Sequence, residues 1–404
     1  MVKNKNSYPP AVVLGTNATA LSIIRSLGKK GIRIIAVNTA FGDYGAKSRY
    51  CQTKLCKSLY GKSLIEILIE IGKSLNEKAV LFCTSDSSVL TVSSHRKDLE
   101  DYYYFLLPSH HIIEILMKKN LFNDFAVTHQ FLVPKTLFTR NEHEVKKASD
   151  EITYPCVIKP EYRDEYWTSM VSSTDKVLFA ESKNEYLDYF NKFNISNRNL
   201  IIQEWIDGND EDFFFCLTYI NRGLEPLAIF TGKKIRQYPY LNGTISLGES
   251  LWIPSIADES IRLLKAAGCT GFCSVEFKQS KKNRNFYIIE PTVGRPDTQE
   301  GMSVSSGMDI PYLAYLDAFG ENPKPLNHFK ENIKWINEPL DFYSLQDYLK
   351  NRVGSIKKWI TSYKGKRTYL LWDIDDPLPF INFVWDKFKK GVGRLLLFSN
   401  PKKG

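Results

Sequence analysis

GFCSVEFKQSKKNRNFYIIEPTVGR, residues 271–295, holds two short apolar runs around a charged, turn-prone hexapeptide. CSVEFKQ (residues 273–279) and FYIIEPT (286–292) have the length and the β-branched and aromatic content of strands. SKKNRN between them closes an antiparallel hairpin. A turn centred on Asn283 sets Glu276 opposite Glu290, with both side chains on one face. Like charges directly opposite destabilise a ladder unless something positive sits between them. A lysine can do that, but a divalent cation held by oxygen ligands does it better. Mg2+ binds through one or two carboxylates together with phosphate oxygens. The hairpin therefore predicts a metal–nucleotide site on an antiparallel sheet.

Upstream of the hairpin the pattern is mixed α+β. YPCVIKP (154–160) reads as a strand ending in Lys159, and LIIQEWI (200–206) as another. The polar turn DGNDED leads into an aromatic strand ending at Ile220, and AIFTGKKIRQYP (228–239) is a further strand. Farther back the chain alternates strand and helix. AVVLG (11–15), a helix with its apolar face at Ala20, Ile23, Ile24 and Leu27, and IRIIAV (32–37) open a doubly wound α/β domain. The first turn, G-T-N-A-T-A, lacks the later glycines of a dinucleotide fingerprint. A helix over 63–75, the strand AVLFCTS (79–85) and a helix over 111–130 come next; Asp86 lies just past that strand's end, as a ligand-side residue or a helix cap.

Bulk properties narrow the function. A chain of 404 residues has room for two or three domains. The net charge of +9 favours anionic partners, but no nucleic-acid module accompanies it, so no nucleic-acid partner is expected. Seven scattered cysteines, mostly in apolar strands, read as buried thiols of a reducing compartment. MVKNKNSYPP has no apolar core and is not a signal peptide, and no run reaches membrane-spanning length; the expected location is cytoplasmic.

Taken in order, Lys119, YPCVIKP, QEWIDG (203–208), GKKIRQ (232–237), GFCSVEFK (271–278) and IIEPTVGR (288–295) resemble the ATP-grasp superfamily. More narrowly they are similar to its carboxylate–amine ligase branch, which includes D-aspartate ligases and polysaccharide-cluster enzymes. The resemblance covers roughly residues 10 to 325, with a looser echo at DDPLP (375–379). It implies an α/β pre-domain over 1–115, a small lid over 116–200, a central antiparallel-sheet domain over 201–325 and a C-terminal extension over 326–404.

The resemblance also assigns roles. Lys119 and Lys159 match the nucleotide-phosphate lysines, where flexible ammonium groups act as adjustable point charges. Gln203, Glu204, Trp205 and Ile206 match the hinge that reads adenine, and Asp210 is the candidate for the ribose hydroxyls. Glu276 and Glu290 would hold Mg2+, with Thr292 where relatives carry asparagine. Lys234 and Arg236, two apart on one strand, are expected to point the same way and steady a transferring phosphoryl group. Arg295 matches the arginine of the acyl-phosphate region, since a bidentate fork suits an anion with two oxygens. One departure is the loop 161–175, which has no glycine. It either closes through side chains such as Arg163, Trp167 and Thr168 or has been reshaped for another substrate.

The activity implied by the resemblance is ATP-dependent ligation of a carboxylate to an amine through an acyl phosphate, with release of ADP and phosphate. A cell-envelope or polysaccharide intermediate is the substrate it suggests. A small-molecule kinase and a non-catalytic nucleotide-binding module are the alternatives on the same fold. The resemblance extends to a homodimer. Finally, Phe380, Phe383, Val384, Phe388, Val392, Leu395 and Leu396 form a helical stripe beside Lys387, Lys389, Lys390 and Arg394. Such a basic amphipathic helix either docks on the core or makes peripheral contact with an anionic membrane.

Overall fold

The computed structural model describes residues 8–161, 167, 177–193, 195, 198–241 and 243–398. Five parallel strands form the first layer: β1 (Ala11–Leu14), β2 (Ile34–Asn38), β3 (Cys51–Leu55), β4 (Ala79–Phe82) and β5 (Tyr103–Tyr104), in the order β3-β2-β1-β4-β5. β1 and β2 are buried throughout, as strands covered on both faces are. The order reverses between β1 and β4, so the turns after these strands open at the switch point. Asn17 caps the helix Ala18–Lys29 by accepting from the Ala20 amide, and Ser85 caps Asp86–Ser94. The helix expected over 111–130 is two helices, His110–Met117 and Lys119–Thr128, because Lys118 between them is extended.

A second layer is antiparallel: β6 (Thr136–Thr139), β7 (Cys156–Pro160), β8 (Leu178–Ala180) and β9 (Leu200–Glu204), ordered β6-β9-β7-β8. The helices Glu142–Glu151 and Lys183–Phe193 close a core of its own, including Val145, Ile158, Tyr186, Phe190 and Ile202. Because β9 pairs within this sheet, the layer runs on to Glu204, past the break drawn at 200. Trp167 is fully buried in the same core, so it is not a side chain offered to a ligand; Arg163 and Thr168 lie outside the described residues.

The third layer has seven strands: β10 (Phe213–Ile220), β11 (Pro226–Tyr238), β12 (Thr244–Ser250), β13 (Gly271–Gln279), β14 (Phe286–Val293), β15 (Ile333–Ile336) and β16 (Lys366–Tyr369). Their order is β14-β13-β10-β11-β12-β15-β16. The weakly patterned residues past 325 thus add two strands to the sheet's edge. One apolar cluster joins Val13, Ile23 and Ile24 to Leu217, Phe230 and Trp335, and a second joins Val12 and Leu64 to Cys216 and Val275. The first and third layers therefore share their cores, whereas the second has a separate one.

Candidate active site

β13 and β14 pair Ser274 with Thr292 and Glu276 with Glu290, the expected facing pair, although the pairs nearest the turn are centred between Lys282 and Asn283. Next to the glutamates the register shifts, pairing Phe277 with Ile288 and leaving Ile289 as the extra residue of a bulge. Glu276 is partly buried and Glu290 exposed. Lys234 reaches across from β11 and sets its Nζ 2.6 Å from Glu276 Oε2. Burial pushes the Glu276 carboxyl up, Lys234 pulls it down, and Glu290 opposite pushes it up again. Among the described residues no group of three or more His, Cys, Asp or Glu converges on a metal position. Two facing carboxylates are instead the set that suits a cation sharing its shell with phosphate oxygens.

A cleft of about 750 Å3 lies between the second and third layers. Lys119, Lys159, Gln203, Glu204, Trp205, Ile206, Lys234, Glu276, Glu290, Thr292 and Arg295 all line it. Lys159 donates to Gln203 Oε1 at 2.9 Å, and Gln203 Nε2 donates to Thr136 Oγ1 at 3.0 Å, so the glutamine amide orients the lysine. Burial, with Lys119 adding to it, lowers the Lys159 ammonium to about 8 against the opposing charge of Glu290. At the other end, the amides of Glu204 and Trp205 donate to the carbonyls of Lys135 and Pro155.

Lys234 and Arg236 do not point the same way. The pairing of β11 with β12 slips on both sides of Arg236, and a bulge resets the alternation of side chains. Lys234 lines the cleft. Arg236 is buried against the C-terminal residues, donating through Nε and Nη2 to Asp341 at 3.0 Å each, with the Trp359 and Tyr363 rings 5.6 and 5.2 Å from its guanidinium. A cation held this way is a clamp between the sheet and the helix Glu338–Lys350. This corrects its expected place beside a phosphoryl group.

Asp210 does not line this cleft. It is 2% exposed, and its carboxylate accepts from Gln237 Nε2 at 2.8 Å, the Leu241 amide at 2.9 Å, the Gln237 amide at 3.3 Å and the Tyr348 hydroxyl. A saturated, buried carboxylate has no lone pair left for ribose hydroxyls. Its expected role is corrected accordingly.

Arg295 is delivered by a tight turn. Gly294 has φ +75°, and a Cβ there would lie 2.7 Å from Val89 Cγ1, so only glycine lets the chain pass this close to the helix Asp86–Ser94. Arg295 Nε then donates to Asp86 Oδ1 at 2.5 Å. The cap of that helix is Ser85, and Asp86 in its first turn serves as the arginine's anchor.

Two cleft residues escaped the sequence reading. Asp297 accepts from Ser274 Oγ at 3.1 Å and from Gln299 Nε2 at 3.1 Å, and Lys278 is buried in the wall. Both had a signal: each stands two residues beyond a chosen one, Arg295 and Glu276.

No family model matches the sequence. The D-aspartate ligase of Enterococcus faecium (strain Aus0004) is 20% identical over 307 residues, spanning 72% of this chain and 71% of that protein. Among solved structures, N5-carboxyaminoimidazole ribonucleotide synthetase in complex with ADP superposes with a TM-score of 0.61 at 12% identity, covering 81% of each chain. Biotin carboxylase from Campylobacter jejuni, in complex with β-γ-ATP, gives a TM-score of 0.61 at 15% identity over 82% of this chain and 75% of that one. With this architecture shared across most of each chain, the protein has the ATP-grasp fold, and its sequence is similar to that of a D-aspartate ligase.

Proposed function

We propose that this ligase binds ATP with Mg2+ in the cleft between the second and third layers and activates a substrate carboxylate as its acyl phosphate for attack by an amine. The observation that carries this reading is the facing pair Glu276 and Glu290 at one end of a cleft whose other end is the apolar strand exit at Trp205 and Ile206. Glu276, Glu290 and the Thr292 oxygen would hold the ion, which when bound neutralises the phosphates. Lys159 and Lys119 supply point charges from the lid side, and Lys234 balances Glu276 when the ion is away. Arg295, held by Asp86 through Nε, also donates from Nη1 to the Pro296 carbonyl, and the remainder of its fork serves a carboxylate or acyl-phosphate oxygen. Positioning and charge neutralisation do most of the work, since the protein forms no bond to the substrate.

The test is product analysis with ATP and Mg2+ across a panel of carboxylates, with hydroxylamine as the amine. Hydroxamate with matching ADP and phosphate is the expected result. ADP with phosphate retained on the substrate identifies a kinase, and Mg–ATP binding with no turnover across carboxylates and amines identifies a binding module.

The substrates we infer are cell-envelope or polysaccharide intermediates, met by a cytoplasmic enzyme at the inner face of the membrane. Support comes from the helix Leu378–Phe398. Phe380 and Phe383 pack on the core, whereas Leu378, Ile381, Val384, Trp385 and Phe388 are exposed along an adjoining face. Lys389 stands 5.4 Å from the Trp385 ring. Aromatic and aliphatic side chains mixed with lysine suit an anionic bilayer surface. Among the described residues no helix is long and apolar enough to cross a membrane; the contact proposed is peripheral. Co-sedimentation with vesicles containing phosphatidylglycerol is expected for the full chain and lost when Ile381, Trp385 and Phe388 are all changed to serine. Equal binding by that variant would sink the idea. Homodimerisation, the remaining expectation, is read by light scattering.

A further inference from the structure

Lys278 lies two residues past Glu276 on β13, opposite Phe213 and Tyr287. It lines the cleft, is 2% exposed, and its Nζ has no hydrogen-bond partner among the described residues. The ammonium stands 3.9 Å from the centre of the Trp205 ring and 5.0 Å from that of Phe213. Lys234 Nζ is also 5.0 Å from the Phe213 ring centre. Glu276, Lys234, Phe213, Lys278 and Trp205 thus form a row from the carboxylate end of the cleft to the strand exit, with Lys278 near the exit.

An ammonium has three donors and no acceptor, and leaving them unmet in a dry site is expensive. Ring faces compensate only part of that. Its charged neighbours are engaged elsewhere. Asp210 is saturated by four donors, Asp212 accepts from the Asn209 amide at 2.7 Å and pairs with Lys281 at 3.3 Å, and Asp207 accepts from Ser280 Oγ at 2.5 Å. Burial lowers the Lys278 ammonium to about 8, against those three aspartates and with Lys281. A lysine kept in this wall without acceptors is a lysine waiting for a ligand to bring them.

We propose that Lys278 is a nucleotide-binding residue whose ammonium turns from the Trp205 ring to donate to the nucleoside half of the bound nucleotide, at the ribose hydroxyls. This rests on the nucleotide reading of the cleft. The row places the lysine between the phosphate end and the base end, and the carboxylate expected to hold the ribose, Asp210, is sealed away. The four-carbon stem gives the reach for that turn.

The experiment is calorimetric titration of the full chain with ADP, 2′-deoxy-ADP, 3′-deoxy-ADP and IDP in the presence of Mg2+, for wild type and Lys278→Met. Methionine keeps the stem's bulk and removes an unpaired buried charge, so its melting temperature is expected to match or exceed wild type. ADP affinity is expected to fall about 10-fold or more in Lys278→Met. The preference for ADP over the deoxy nucleotides should disappear with it. A variant that loses only its discrimination between ADP and IDP overturns the ribose assignment and moves the acceptor to the base. ADP binding within about twofold of wild type overturns the proposal outright. Failure of the wild type to bind ADP at all removes the nucleotide reading itself, before any variant is compared.

Discussion

Glu290→Gln is expected to reduce ADP formation by about 100- to 1,000-fold or more while leaving the fold intact. Glutamine keeps the shape and removes the charge. Glu290 is exposed and faces Glu276 across the ladder, so in the free protein its charge opposes that of its partner while favouring the Lys159 ammonium nearby, and the two effects on stability offset. Lys234 neutralises Glu276 alone. The melting temperature should therefore hold, and turnover should collapse because one carboxylate and one threonine oxygen hold a divalent ion poorly. Coupled ADP-release kinetics beside thermal denaturation decide the matter. Substantial turnover would remove Glu290 from the metal site, whereas lost turnover with a lowered melting temperature would make it structural.

Asp376→Ala is expected to lower unfolding free energy by about 3–5 kcal/mol, a large effect for a single substitution. Asp376 is fully buried and accepts from Arg25 Nε at 3.0 Å, Ser48 Oγ at 2.8 Å and the Arg49 amide at 2.9 Å. Arg25 also donates to the carbonyls of Leu370 and Leu371 at 2.6 and 2.7 Å. Removing the carboxylate leaves a buried guanidinium uncompensated, with an orphaned hydroxyl and amide beside it. Asp376→Asn keeps the volume and some of the hydrogen bonds and should lose less. Urea unfolding of both variants reads the difference; a loss below about 1 kcal/mol for the alanine variant would mean that water or a neighbour replaces the carboxylate.

The parts of this site that could be read from the sequence are those set by local pairing. The turn-side pairs, Phe277 with Ile288 and Lys278 with Tyr287, would set Glu276 opposite Ile289; the bulge at Ile289 shifts the register by one and brings Glu276 opposite Glu290, so the expected pair forms with help that a turn alone does not give. Strict alternation misled at Lys234 and Arg236, where a bulge in β11 sorts two neighbouring cations to different faces. Asp210 misled for another reason. Its partners include Tyr348, which is 138 residues away, and no local pattern announces a carboxylate sealed from so far along the chain. Lys278 shared the face of Glu276 in plain alternation, but its importance depends on Trp205 and Phe213 closing over it. Past residue 325, β15 and β16 are only four residues each and lie at a sheet edge, too short for a period to stand out.

The separate core of the second layer has a mechanical consequence. The first and third layers have no seam between their interiors, and the strap of residues 370–376, gripped by Arg25, ties the last strand of one back to the first helix of the other. The four-stranded layer can tilt as a plate without unpacking either shared interior. Its boundaries are marked by Phe131, which belongs to the interior shared by the other two layers, and by Asp207, which accepts from Ser280. A layer with an interior of its own shifts at small cost to the packing elsewhere, the property that a moving cover over a cleft requires.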